Sequence, residues 1–186
     1  MPRRPGETGG DGDKIKAGGN SGAAPAPPQL LGYHIHAGSP ARAPLHPRLK
    51  DLLALWSARR LARPMPSRED LPARALKPWE GYFALLAPEP GALRFRLMGA
   101  QLVPRLGKAM SGRTLAELDE ALRRPLLALA DLAVARQAPA AGATALRTDG
   151  LRTLWSDLML PLSVRRAQPP LFIFASYPVL PRPALP

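Results

Sequence analysis

The run from Leu93 to Met98 constrains the fold more than any other stretch of the chain. Leu93, Phe95 and Leu97 alternate with Arg94, Arg96 and Met98, the pattern of an antiparallel strand with one buried face. Pro88, Pro90 and Gly91 form a turn signal just before it. Residues 81–87, carrying Tyr82, Phe83, Leu85 and Leu86, read as the other arm of a hairpin that Gly99 ends. Three further strand-like runs appear only after a helical middle. Residues 143–148 stop at the turn pair Asp149 and Gly150, residues 151–163 follow, and Leu171–Val179 comes last. The polar segment 164–170 reads as an exposed hairpin loop. Pro161 lies inside an apolar run and marks an edge, a bulge or a sheet end.

The middle is helical by its own period. Leu126, Leu129, Leu132 and Ala133 form one stripe over residues 125–136, with Pro125 in the first turn and a break at Pro139 and Gly142. Thr114 and Glu117 have capping-box spacing for a short helix before it. Upstream, Leu49, Leu52, Leu53 and Trp56 share a helical face with Arg60, while Lys50, Asp51 and Arg59 lie away from it. Pro64 and Pro66 end that helix near Arg63. Two strands, helices, then three strands define an α+β domain with one antiparallel sheet and helices against one face.

Composition sets the limits of that domain. The 186 residues include 24 Pro and 16 Gly, concentrated at the ends. Residues 1–44 are expected to be a disordered Gly/Pro-rich tail, 45–181 the ordered domain and 182–186 a short tail. The formal charge of +12 admits a nucleic-acid partner. The basic residues are scattered as doublets, such as Arg59 with Arg60 and Arg123 with Arg124, rather than gathered into a patch, so nucleic acid is the weaker alternative. There is no Cys, which removes disulfides, thiolate metal sites and cysteine nucleophiles. The first 20 residues lack a signal-peptide core and no apolar run is long enough for a bilayer, so a cytoplasmic protein is expected.

Catalytic constellations are not legible. Ser111, Ser156, Ser163 and Ser176 have no nearby His in the expected domain body, and Asp119, Glu120, Asp131, Asp149 and Asp157 are dispersed. His34 and His36 supply two imidazoles without a third metal ligand. Gly99, Gly107 and Gly112 do not have nucleotide-loop spacing and read as turn glycines.

Trp56, the run from Pro66 to Arg68, Phe95 and Arg96 with Gly99, Gly107, Gly112 with Arg113, and Asp157 with the later Leu160, Pro161 and Leu162 together resemble the small PAS-type domain family widespread in alphaproteobacteria. The resemblance covers about residues 48–180. It implies a PAS-like five-stranded antiparallel sheet, helices on one face and an N-terminal helical extension. It also implies a sensory or regulatory role in signal transduction, no shared catalytic chemistry, and dimerisation through the helix before the first strand. Haem-binding relatives need an axial His, and the three His residues lie upstream of the domain body; a flavin photoadduct needs a Cys. No cofactor and no metal are therefore expected.

The expected function is a non-enzymatic module acting through protein–protein contacts with an unknown signalling protein. The alternative is a small-molecule sensor holding a ligand between the sheet and residues 103–132. Leu49, Leu52, Leu53 and Trp56 are the expected homodimer interface, with packing inside one subunit as the competing account. Arg68 is expected to pair with an internal acid such as Asp157, or else to bind a carboxylate or phosphate. Arg94 and Arg96 occupy a polar strand face, open to an anion or to solvent.

Overall fold

The computed structural model describes residues 27–36, 38–164 and 170–179. Six antiparallel strands form one sheet: β1 (Gln29–Ile35), β2 (Phe83–Glu89), β3 (Ala92–Met98), β4 (Ala140–Thr148), β5 (Leu151–Leu162) and β6 (Leu171–Val179). Their spatial order is β1-β4-β5-β6-β2-β3. Helices α1 (Pro47–Arg60), α2 (Ala73–Leu76), α3 (Val103–Leu106) and α4 (Glu120–Arg136) complete an α+β, PAS-like architecture. The hairpin β2–β3, the helical middle and the run β4–β5–β6 occur in the order the sequence predicts. Asp149 and Gly150, both left-handed, turn β4 into β5. Among the described residues no helix is long and apolar enough to cross a membrane.

Among the described residues the sheet has six strands, not five. The extra strand, β1, lies in the region expected to be a disordered tail, and it pairs with β4 from Gln29↔Arg147 to Ile35↔Gly142. Its own pattern is interrupted by Gly32 and by a register shift between Leu30 and Gly32. What holds it is tertiary: β4 offers an open edge, and Leu30 packs against Leu122, Leu146 and Trp155. Residues 40–42 form a turn of 3-10 helix, and Ala43 and Leu45 are buried. The expected tails at residues 1–26 and 182–186 lie outside the described residues.

Helices cover both faces, not one. On the first face, Leu102, Leu106, Leu126, Leu129 and Ala133 pack on Leu86, Phe95, Met159, Phe172 and Phe174. On the second, Leu49, Leu52 and Trp56 of α1 pack on Leu158, Leu160, Leu162, Ile173 and Ala175. Successive residues of β5 therefore serve opposite cores, which is why the strand is continuously buried from Trp155 onward, and apolar after Asp157, instead of alternating. Pro161 falls at a sheet end. Facing β5, β4 begins only at Ala140↔Met159, and the Pro161 carbonyl accepts a hydrogen bond from Trp56 Nε1 at 2.8 Å.

Two local expectations shift. Helix α4 begins at Glu120, where the Asp119 side chain accepts from the Ala121 N–H at 2.9 Å, so Pro125 sits inside the helix. Pro125 has no amide hydrogen to return to Ala121, yet Leu122, Pro125 and Leu126 are all buried, and that packing carries the extra turn. In β3 the register moves from Leu86↔Phe95 to Leu85↔Leu97, leaving Arg96 as an extra residue. The bulge parts Leu97 from Phe95: Phe95 is fully buried in the first core, while Leu97 is 39% exposed beside Phe83.

Leu52 is fully buried in the second core. Leu52→Ala is expected to lower unfolding free energy by about 2–5 kcal/mol in urea titrations, as a core truncation does. A loss under about 0.5 kcal/mol, the range of surface positions, would contradict the packing of α1 on its own sheet.

Candidate functional site

Asp157 stands on the central strand β5, opposite Gly142 of β4 and Ser176 of β6. Above it, the one-turn helix α3 ends at Gly107, whose φ of 80° closes a left-handed cap that a side chain would strain. This short helix lowers Arg105 onto the sheet. Arg105 Nη2 donates to Asp157 Oδ2 at 3.1 Å and to Thr144 Oγ1 at 2.9 Å, and Nε reaches Asp157 Oδ1 at 3.4 Å. The Thr144 hydroxyl donates to Asp157 Oδ2 and the Ser176 hydroxyl to Oδ1. Both ions are buried, at 0% and 1% side-chain exposure. Arg105 Nη1 alone is left without a partner among the described residues.

Around this cluster the space between α3 and the sheet is packed, and a separate groove of about 260 Å³ opens further along, between Leu93 and Phe172 of the sheet and Leu127 and Ala130 of α4. Leu102, Leu106, Met110, Leu115, Leu118, Leu126 and Leu129 are each at most 4% exposed. The hydroxyls of Thr144 and Ser176 are donors to a carboxylate, an arrangement that ties β4 and β6 to β5 beneath α3.

A second polar contact lies on the opposite face. The His46 backbone N–H donates to Ser156 Oγ at 3.1 Å, and the His46 ring stacks on Tyr177, which stacks in turn on Tyr82. His46 Nδ1 accepts from the Arg48 N–H at 3.2 Å and so caps α1. Sequence reasoning kept every His away from the serines; the fold brings His46 to Ser156, but through its backbone, with the ring turned to Tyr177. Burial, then the nearby Arg48 charge, lowers the His46 pKa below its ordinary value.

The expected interface residues are distributed otherwise. Leu49, Leu52 and Trp56 are buried in the chain's own core, and Leu53 is half-buried beside them. Their apolar surface is already covered by β5 and β6, so as α1 lies it presents no such stripe to a second subunit. Arg68 does not pair with Asp157. Asp157 is taken by Arg105, and the Arg68 guanidinium donates to the Leu71 carbonyl. Arg94 is bound at 2.5 Å to Glu89, which holds the Glu89 carboxyl below its usual range, while Arg96 is more exposed and 3.7 Å from the same carboxylate. Glu117 accepts from the Thr114 N–H at 2.9 Å, as the capping spacing predicts, on a single 3-10 turn.

Of the turn glycines, Gly107 and Gly112 have positive φ. Gly99 has an ordinary φ and is needed for a different reason: a Cβ there would lie 2.2 Å from the Gly81 backbone. His34, on β1, and His36, just past its end, meet edge to face, 4.8 Å apart. Among the described residues no group of three or more His, Cys, Asp or Glu is placed to hold a metal.

Arg105 was missed by sequence reasoning. The available signal was Asp157, a carboxylate inside an otherwise apolar run, which demands a buried partner; nothing in the sequence names which of the many arginines supplies it.

The chain belongs to the PAS domain family, whose model matches residues 45–174. Strand β1 lies before the matched span. No curated protein and no solved structure matches the chain.

The lowered His46 pKa has a testable consequence. Because the folded chain holds a proton on His46 less well than the unfolded chain, acidification below about pH 6.5 favours unfolding. His46→Asn keeps a capping acceptor without that titration, so between neutral and mildly acidic pH it is expected to lose less thermal stability than wild type. Identical pH profiles would contradict the assignment.

Proposed function

We propose that this PAS domain is a non-enzymatic regulatory module whose output is a protein contact, made by the uncovered part of its sheet. The observation that carries this reading is a row crossing four strands. Val179 pairs with Leu154, Leu154 with Ala145, and Ala145 with Gly32, so four small or apolar residues lie side by side. The row lies on the face that α1 covers further along, at Leu158 and Leu160. Beyond the His46 ring no helix among the described residues covers it, and Leu154 and Val179 remain 45% and 36% exposed. At strand spacing the row spans about 15 Å, a flat strip suited to another protein surface rather than to a small molecule.

A second copy of the chain is the proposed partner, because a two-fold arrangement buries the same row twice. This places the homodimer contact on the sheet instead of on the α1 stripe. Arg147 and Arg152 pair directly across β4 and β5 at the margin of the strip, and both are exposed. Two copies would bring these like charges together, so salt should strengthen association by screening them. The filled layer around Arg105, and a groove of about 260 Å³ beside Leu127 and Ala130 that falls below the usual small-ligand range of roughly 300–1,000 Å³, speak against the alternative of a ligand held there. The dispersed cations speak against a nucleic-acid surface.

Sedimentation at high micromolar concentration tests the reading. Wild type is expected to show a concentration-dependent dimer that is stronger at about 0.5 M than at about 0.05 M salt. Leu154→Glu is expected to be monomeric with an unchanged melting transition. A wild-type chain that stays monomeric at both salts, or a Leu154→Glu variant that still dimerises, would contradict it.

A further inference from the structure

Arg68, which is not the partner of Asp157, takes part in neither core nor in the proposed sheet contact. Arg68 lies at the wall of a groove of about 510 Å³, between α2 with its following turn and the ends of β2 and β3. Arg74 and Lys77, three residues apart on that helical segment, share the wall with it. Glu80 is the one carboxylate in the lining, against these three cations, and among the described residues none of the four makes a salt bridge. The Arg68 side chain is half-buried and tethered through its bond to the Leu71 carbonyl, which orients the guanidinium while leaving further N–H donors.

The rest of the lining is apolar. Leu76 is buried at the base, and Phe83, Leu97 and Met98 stand around it. Leu97 reaches this side only because of the bulge at Arg96. Gly81 and Gly99 meet here with backbones so close that neither a side chain nor water separates them, which closes the end of the groove. A solvated surface helix would give cations without an apolar wall, and a core defect would give an apolar wall without cations. This groove has both, and its volume falls in the range of small-ligand sites, roughly 300–1,000 Å³.

We propose that the groove binds a small amphiphilic anion, with an oxyanion head among Arg68, Arg74 and Lys77 and an apolar body against Leu76, Phe83 and Leu97. The guanidinium fork of Arg68 suits a carboxylate or a phosphate alike. The site is separate from the packed interior beneath α3 and lies toward the β3 edge. The proposed contact strip lies toward β1, so failure of one leaves the other standing.

The test is a titration of the full chain with dodecanoate and with dodecyl phosphate below their micellar concentrations, read by amide chemical shifts, with dodecanol as the uncharged control. Shifts are expected to gather at Gly81, Leu97, Met98 and Gly99, and the alcohol to bind at least about tenfold more weakly than either anion. Whichever head binds more tightly identifies the preferred oxyanion. The double variant Arg74→Gln, Lys77→Gln changes only exposed side chains and is expected to weaken binding at least about tenfold while folding normally. Arg68→Gln is expected to weaken it as well, with the Leu71 amide reporting whether the tether alone was lost. Equal affinity for dodecanol, unchanged affinity in the double variant, or shifts confined to another surface would overturn the proposal.

Discussion

The buried pair of Arg105 and Asp157 is the constraint on which the arrangement of this domain depends. A carboxylate at the centre of a sheet covered on both faces cannot be hydrated, so its charge must be met from within the fold. Three elements converge to do so. Helix α3 brings the guanidinium, β4 the Thr144 hydroxyl and β6 the Ser176 hydroxyl. Removing any one element would leave acceptors unsatisfied in a low-dielectric interior. The pair therefore fixes the short-helix region over the sheet and fills the volume beneath it.

Coverage of the second face follows from the same strand. Because β5 is apolar on both sides beyond Asp157, a second layer is required, and α1 supplies it with Leu49, Leu52 and Trp56. The Trp56 indole also satisfies the Pro161 carbonyl, where the end of β4 leaves an acceptor exposed. Among the described residues the second layer stops past His46, and the sheet surface that remains is the one with Leu154 and Val179 on it. The functional reading thus comes from what the two cores leave uncovered.

Much of this order was legible in the residues. The alternation of Leu93 and Phe95, the turn pair Asp149 and Gly150 and the stripe of Leu126, Leu129 and Ala133 are local signals, and each led to the right element. Strand β1 was not legible because its pairing comes from β4 and its own pattern is broken at Gly32. A periodic stripe says that a helix face is buried but not against what, which is why Leu52 and Trp56 fitted a dimer as well as a core. The bulge at Arg96 inverts Leu97 without any change of composition, and so hid the apolar wall of the groove. Arg68 and Asp157 were both singled out by sequence and wrongly joined, since long-range partner choice among 26 basic residues is a property of topology.

A double-mutant cycle on the buried pair tests the central claim most directly. Arg105→Met, Asp157→Leu and the double variant would be compared with wild type by urea unfolding. Each single change leaves one buried charge uncompensated and is predicted to lower stability by about 3–5 kcal/mol, whereas the double variant replaces both ions with apolar groups and is predicted to recover most of that loss. Losses that simply add in the double variant would contradict the account, because they would show that Arg105 and Asp157 hold the fold independently of each other.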